Sequence, residues 1–244
     1  MVNIVLGHGQ PVGALMASHP DVDMVTFTGS TAVGKAIAAA ASGTLKKVAL
    51  ELGGKNPQVI FPDADLESAA DAVTFGIYFN AGECCNSGSR IIVHEDIAED
   101  FVTRVVALSA QVPFGDPLDP RTQVGAIIST AHRGKIDGYV KEAAAAGANV
   151  RIGGNAFSVP GLAGQFYQPT VVSNVSPDMA IAREEVFGPV LSVMTFKTLD
   201  EAIALQNDVP QGLSSSIFSN NMRETELFLS HEGSDCGIAN VNIG

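Results

Sequence analysis

The chain has 244 residues, of which 46% are hydrophobic, so a sizeable buried core is expected and intrinsic disorder is excluded as the default state. Its formal net charge is −12 and Lys and Arg form no cluster, which disfavours nucleic acid and anionic membranes as partners. No apolar run approaches the roughly eighteen residues that span a bilayer. The three cysteines have neither a disulfide nor a metal-site spacing, so we expect a cytoplasmic protein without a metal ion.

Short apolar or β-branched segments alternate with longer Ala-rich helical patterns along the chain. This alternation predicts βα units around a mainly parallel sheet, which is an α/β fold. The predicted strands are 3–6, 24–28, 47–50, 58–61, 91–94, 190–196, 214–218 and 237–241. The predicted helices are 32–41, 66–79, 97–110, 131–146, 199–207 and 223–231.

Two stretches of turn-forming residues divide these elements. A glycine pair followed by a proline, in Leu52-Gly53-Gly54-Lys55-Asn56-Pro57, predicts a joint between a first domain at 1–53 and a second at 54–244. The proline-rich stretch 112–121 predicts a surface connection. Both ends of the sequence resemble interior elements, so we expect a longer natural protein.

The segment Phe27–Lys35 follows a predicted strand and opens a predicted helix. Free N–H groups and the positive end of the helix dipole favour a phosphate there, and Gly29, Ser30 and Thr31 are small enough to let it approach. A well-capped structural helix is an equally good interpretation. The spacing partly fits a P-loop, but Ala36 stands where a magnesium-binding Ser or Thr is needed, which disfavours a nucleotide hydrolase.

Glu51 ends an otherwise apolar predicted strand. A carboxylate that is buried without a partner is costly to ionise, which suits it to act as a general base near neutral pH. A solvated or paired acid is the commoner state at a strand end, so both interpretations of Glu51 stay open.

Cys85 lies between Gly82, which allows a tight turn, and small polar residues that predict a helix start. The dipole at a helix start would stabilise a thiolate and make Cys85 a nucleophile. A buried structural cysteine is the alternative. A redox-active pair with Cys84 is disfavoured because a disulfide between adjacent residues is strained.

In this order along the chain, the three segments resemble the aldehyde dehydrogenase superfamily. Phe27–Thr31 is similar to the family's cofactor-phosphate segment, Leu50–Pro57 to its glutamate signature and Gly82–Cys85 to its cysteine signature. Glu184–Pro189 and Gly212–Phe218 resemble two further signatures. The resemblance covers essentially the whole chain and implies a parallel-sheet catalytic domain with the C-terminal remnant of a Rossmann-like cofactor domain.

The resemblance also implies roles for individual residues. Cys85 would be the nucleophile that attacks a small-molecule aldehyde, and Glu51 the base that activates water to release a carboxylic acid from the thioester. The cofactor would be NAD or NADP. The residues that would contact it are Gly29, Ser30 and Thr31 at the pyrophosphate, Leu52 and Phe187 at the nicotinamide, and Glu185 at the ribose hydroxyls.

In the family, the oxyanion-binding Asn and the residues that contact the adenosine lie before the segment that this chain resembles. The oligomerisation strand of the family lies after that segment. We therefore expect little or no activity from this piece alone and a homo-oligomer, a dimer or tetramer, for the full-length enzyme. An ω-semialdehyde is one candidate substrate. An acylating relative, which hands the thioester to coenzyme A or phosphate, and a truncated inactive copy that acts as a structural or binding module both stay open.

Overall fold

The computed structural model describes residues 1–244 in two compact units, Met1–Gly53 and Gly54–Gly244. In the first unit, a π-helical segment (Gly9–Gly13) is followed by α1 (Ala14–Ser18), β1 (Met24–Thr28), α2 (Thr31–Ser42) and β2 (Lys47–Glu51). β1 and β2 pair in parallel, with Met24 beside Lys47 and Thr28 beside Glu51. Parallel neighbours need a crossover connection, and α2 provides it.

The predicted strand at 3–6 is wrong, because these residues form neither helix nor strand. Ile4, Val5 and Leu6 are 85%, 62% and 88% exposed. A strand persists only where its backbone groups pair with a neighbour, and the sheet of the first unit contains only β1 and β2. Apolar composition alone therefore does not make a strand here.

The second unit is built on a seven-stranded sheet. The strands of the whole second unit are β3 (Pro57–Ile60), β4 (Arg90–His94), β5 (Asn149–Ile152), β6 (Ala156–Phe157), β7 (Phe166–Tyr167), β8 (Thr170–Ser173), β9 (Val190–Phe196), β10 (Ser214–Phe218) and β11 (Ile238–Val241). Its helices are α3 (Leu66–Tyr78), α4 (Ala98–Ser109), α5 (Thr130–Ala145), α6 (Ala180–Arg183), α7 (Leu199–Asn207) and α8 (Met222–Leu229), with 3-10 turns at Phe79–Gly82 and Glu95–Ile97. The sheet order is β11-β10-β3-β4-β9-β8-β5, and β6 and β7 form a separate hairpin.

All neighbours in this sheet are parallel except β5 and β8. The central strands β3, β4, β9 and β10 are buried along nearly their whole length. Helices that cover both faces of a parallel sheet produce this burial, which includes polar side chains such as Gln58, Arg90 and the serines of β10. The predicted α/β fold with a mostly parallel sheet is thus confirmed.

The predicted elements missed four strands and two short helices. One of these strands, β8, is buried and lies inside the sheet between β9 and β5. β5 is half exposed and pairs antiparallel at the sheet edge, so its sequence lacks the apolar run of a central strand. α1 and α6 have five and four residues, too few to show a helical period. The stretch 112–121 contains no helix or strand, as predicted. None of the helices combines the length and the apolarity that crossing a membrane requires.

Candidate functional site

The candidate site of the second unit lies at the N-terminal ends of the parallel strands of the sheet. Asn56 directly precedes β3, Ser89 precedes β4, Pro189 precedes β9 and Ser214 opens β10. Because β3, β4, β9 and β10 run in the same direction, the segments that lead into them meet at one edge. The predicted residues Cys85, Glu185 and Phe187 all belong to such segments.

Cys85 lies on a loop, residues 79–89, that we call the cysteine loop. At its start, Asn80, Ala81 and Gly82 have φ values of 50°, 60° and 73°, so three consecutive residues are in the left-handed region. This conformation costs about 1–3 kcal/mol for a residue other than glycine and persists only where surrounding contacts enforce it. A side chain at Gly82 would place its Cβ 2.2 Å from the Gly188 carbonyl oxygen, so the position requires glycine.

The predicted helix start at Cys85 is wrong. The Ser87 N–H donates to the Cys84 carbonyl at 3.1 Å and closes a single turn, after which the chain leads into β4. The prediction failed because Asn56, far away in the sequence, takes the carbonyls that a helix would have used. No helix dipole is therefore available to stabilise a Cys85 thiolate.

Asn56, which is 4% exposed, holds the cysteine loop in place. Its side-chain amide donates to the Cys85 carbonyl at 2.8 Å and to the Ser87 carbonyl at 2.9 Å. Its side-chain oxygen accepts from the Ser214 N–H at 3.1 Å. One side chain thus fastens the cysteine loop to the starts of two strands, and sequence reasoning had assigned it no role.

Gly54 brings Cys85 and Glu185 to the same place. A Cβ on Gly54 would lie 2.3 Å from the Cys85 carbonyl oxygen, so only glycine leaves room for the turn. The Gly54 N–H donates to the Glu185 carboxylate at 3.3 Å. Burial raises the pKa of Glu185, whereas this hydrogen bond and the nearby Lys135, Lys55 and His132 oppose the shift.

Lys55 is 1% exposed, and its Nζ has no hydrogen-bond partner. Burial, reinforced by the neighbouring Arg90 guanidinium, lowers the pKa of the Lys55 amine to about 7. The carboxylates of Glu185 and Glu184 act in the opposite direction. A buried cation without a partner is expensive, and no sequence pattern singled this lysine out.

Arg90 opens β4 and is buried without a carboxylate partner, with 2% of its surface exposed. Its guanidinium donates to the Lys55 carbonyl at 2.8 Å and to the Leu205 and Gln206 carbonyls at 3.2 and 2.8 Å. The last two are free carbonyls in the final turn of α7, where a positive charge is favoured. Arg90 therefore joins the glutamate-signature segment to the end of α7.

In the first unit, the predicted phosphate residues lie at the start of α2. The Ser30 hydroxyl accepts from the Val33 N–H at 3.4 Å, which is the N-cap bond expected for this residue. The Gly29 N–H donates to the Glu51 carbonyl at 3.0 Å. Leu52 packs against Gly34 of α2, where an added Cβ would be 2.5 Å from the leucine side chain. The structure thus brings the start of α2 together with the end of β2.

Of the two interpretations of Glu51 that the sequence left open, the structure agrees with the solvated acid at a strand end, because the side chain is exposed. Exposed and half-buried residues alternate along β2, and Glu51 falls on the exposed set. A two-stranded sheet leaves one face open, which is why alternation along β2 decides the environment of this acid.

Open cavities also lie beside the predicted residues of both units, including one of about 490 Å³ in the second unit that is lined by Asn80, Ala81 and Glu83 of the cysteine loop. In the second unit, a cavity of about 330 Å³ is lined by Phe75, Phe79, Cys84, Asn86 and the serines that open β10, among others. In the first unit, an apolar groove of about 670 Å³ runs between α1 and α2. No three His, Cys, Asp or Glu side chains are grouped to hold a metal ion.

The α/β fold agrees with the comparison to known families. The model of the aldehyde dehydrogenase family matches residues 1–244, so the chain belongs to this family.

Among its relatives, the betaine aldehyde dehydrogenase of Bacillus subtilis is 43% identical over 227 residues and the retinal dehydrogenase 2 of Homo sapiens is 44% identical over 225 residues. These alignments cover 93% and 92% of this chain but 46% and 43% of the relatives, so the chain spans less than half of their length.

Solved structures agree with this assignment. The NAD-dependent aldehyde dehydrogenase of Sinorhizobium meliloti is 48% identical with a TM-score of 0.93, over 98% of this chain and 47% of that one. The betaine aldehyde dehydrogenase of Staphylococcus aureus, in complex with NAD⁺, is 40% identical with a TM-score of 0.94, again over 98% of this chain and 47% of that one.

Proposed function

We propose that this chain takes part in the NAD(P)-dependent oxidation of an aldehyde to a carboxylic acid, with Cys85 as the nucleophile and Glu51 as the base for hydrolysis. The observation that carries the proposal is the environment of Gly54, which leaves room for the Cys85 turn and donates its N–H to Glu185. A nucleophile and a carboxylate for the cofactor ribose are thereby held on either side of one glycine.

The residues of the first unit fit a dinucleotide. The first turn of α2 leaves the N–H groups of Thr31 and Ala32 without a protein acceptor, which suits the phosphates near Gly29 and Ser30. The groove between α1 and α2 is lined largely by small apolar residues, which suits a flat aromatic ring. We propose that Leu52 and Phe187 border the nicotinamide and that Glu185 accepts hydrogen bonds from the ribose hydroxyls.

In the proposed reaction, the Cys85 sulfur attacks the aldehyde carbon and forms a thiohemiacetal. A nicotinamide held beside Leu52 and Phe187 would supply the hydride acceptor for this carbon, and Cys85 would then carry a thioester. The Cys85 N–H has no protein acceptor and is free to stabilise the oxyanion. Glu51 then takes a proton from water, which attacks the thioester carbon and frees the Cys85 thiolate and the carboxylic acid.

The proposed nucleophile is tested by replacing each of the two adjacent cysteines in the active enzyme. Cys85→Ala should abolish NAD(P)H formation while cofactor binding persists, whereas Cys84→Ala should leave turnover within about tenfold of the parent. Turnover that survives Cys85→Ala would remove Cys85 from this role. Both cysteines are free, so neither substitution breaks a disulfide.

The proposed base is tested by Glu51→Gln. This change should slow hydrolysis and let the acyl-enzyme accumulate, which mass spectrometry detects after mixing with aldehyde and cofactor. If turnover falls and no acyl-enzyme accumulates, Glu51 does not act at the hydrolysis step. Adding coenzyme A in the same assay separates hydrolysis from acyl transfer.

Which aldehyde is the substrate is the subject of a further proposal. An ω-semialdehyde stays one candidate, since the cavity of about 330 Å³ is lined by Cys84 and Asn86 but not by Cys85 and therefore does not select among aldehydes. The related enzymes are named for chemically different aldehydes, so a panel of aldehydes with each cofactor is the direct test. The cytoplasmic location and the homo-oligomer stay predictions.

A further inference from the structure

His132 is a histidine that the proposed reaction does not use, although it contacts two segments of the site. It lies in the first turn of α5, where its N–H donates to the N-cap oxygen of Ser129 at 3.1 Å. Its side chain is 16% exposed. Its Nε2 is 2.5 Å from the Phe187 carbonyl oxygen. Because a carbonyl only accepts, Nε2 carries the hydrogen and donates it.

Phe187 needs such a contact because its backbone is in the left-handed region, with a φ of 58°. A phenylalanine has no side-chain hydrogen bond with which to compensate for this conformation, so its surroundings must enforce it. His132 does so twice, through the bond to the carbonyl and through its ring, which packs edge-on against the Phe187 ring at 5.9 Å.

The same histidine also borders the cysteine loop. Its Nε2 is 3.7 Å from the carboxylate of Glu83, two residues before Cys85. The same Glu83 oxygen accepts from the Ile128 N–H at 3.1 Å, just before the N-cap of α5. The first turn of α5 therefore stands between the cysteine loop and Phe187 and contacts both.

We propose that His132 is a positioning residue that holds Phe187 in register with the cysteine loop. The catalytic consequence rests on the proposed function, because it assumes that Cys85 is the nucleophile and that Phe187 borders the nicotinamide. The structural consequence does not: without the His132 side chain, Phe187 loses its hydrogen bond and Glu83 of the cysteine loop loses its contact, so we expect Cys85 to react faster with an alkylating reagent.

The test isolates the hydrogen bond. His132→Phe keeps a ring against Phe187 but cannot donate, whereas His132→Gln restores an amide donor. A matched control exists at His94, whose Nε2 is 3.2 Å from the Lys197 carbonyl and whose ring meets Phe196 edge-on at 5.3 Å. His94→Phe therefore removes an equivalent interaction at the opposite end of β4.

The first readout is the rate at which iodoacetamide alkylates each cysteine of the folded 244-residue chain, measured peptide by peptide with mass spectrometry. His132→Phe should speed alkylation of Cys85 by at least about threefold and leave Cys236 unchanged, whereas His132→Gln and His94→Phe should resemble the parent. Equal rates at Cys85 in all four proteins would overturn the proposal. Loss of folding in His132→Phe and in His132→Leu would also overturn it, because His132 would then be a structural residue.

The second readout is steady-state kinetics in the active enzyme. His132→Phe should lower kcat at least about fivefold with the aldehyde KM within about twofold, and His132→Gln should recover most of the loss. A parent enzyme that oxidises no aldehyde would refute the proposed function, and the alkylation rates would still decide the role of His132. If kcat falls equally in the His132→Phe and His94→Phe variants, the positioning role of His132 is refuted, while the proposed function is not.

Discussion

Replacing Asn56 by alanine should destabilise the second unit more than almost any other single polar substitution. The change removes a side chain that is only 4% exposed. It leaves the Cys85 carbonyl, the Ser87 carbonyl and the Ser214 N–H without their hydrogen-bond partner. At about 1 kcal/mol for each lost hydrogen bond, the free energy of unfolding should fall by about 3 kcal/mol. With a slope of about 2 kcal/mol per molar urea, the midpoint should move by about 1.5 M.

The measurement is urea unfolding of the chain followed by circular dichroism, since the protein contains no Trp for fluorescence. Asn155→Ala is the matched control: Asn155 is exposed and makes one local bond, to the Gly153 carbonyl at 3.1 Å, so its loss should cost about 0.5 kcal/mol. Asn56→Asp keeps the acceptor but not the two donors and should be as harmful as Asn56→Ala. If the two alanine variants unfold at the same urea concentration, Asn56 does not anchor the cysteine loop.

Two further predictions concern stability. Gly82→Ala should lower the unfolding free energy by at least about 2 kcal/mol, because its Cβ would meet the Gly188 carbonyl at 2.2 Å. Gly76→Ala in α3, whose Cβ would meet only the Gln58 side chain at 3.7 Å, should be neutral or stabilising in thermal melting. If the Gly82→Ala and Gly76→Ala variants melt at the same temperature, the Gly188 carbonyl moves away from an added Cβ at little energetic cost. The pKa of Lys55 is about 7 when folded, below its unfolded value of about 10.4. Burying the charged amine therefore costs stability below pH 7, and this cost disappears as the pH rises toward 10.4. The unfolding free energy should climb by on the order of 1 kcal/mol per pH unit above pH 7 in the parent and in Lys197→Met, but not in Lys55→Met. The same slope in all three proteins would contradict the buried charge.

Much of the fold follows from local sequence. The strands β1, β9 and β10 were predicted with the bounds that the structure shows, although three serines make β10 only partly apolar. The start of α2 was predicted to within one residue, since Ser and Thr are favoured N-cap residues, and Ser30 is the one that caps the helix. Edge elements such as β5 could not be predicted, because their stability comes from one neighbour and their sequence carries little pattern.

The amino-acid sequence by itself determined the α/β class, most of the central strands and the longer helices, the family and the candidates Cys85 and Glu51, because these depend on residue type and short-range spacing. Only the tertiary structure decided that Cys85 occupies a turn instead of a helix start, and that Asn56, Lys55 and His132 surround its loop. The bonds responsible join residues 29 to 158 positions apart, such as Asn56 with Cys85 and with Ser214. Hydrogen bonds over such separations exist only once the sheet has assembled, so no local pattern records them.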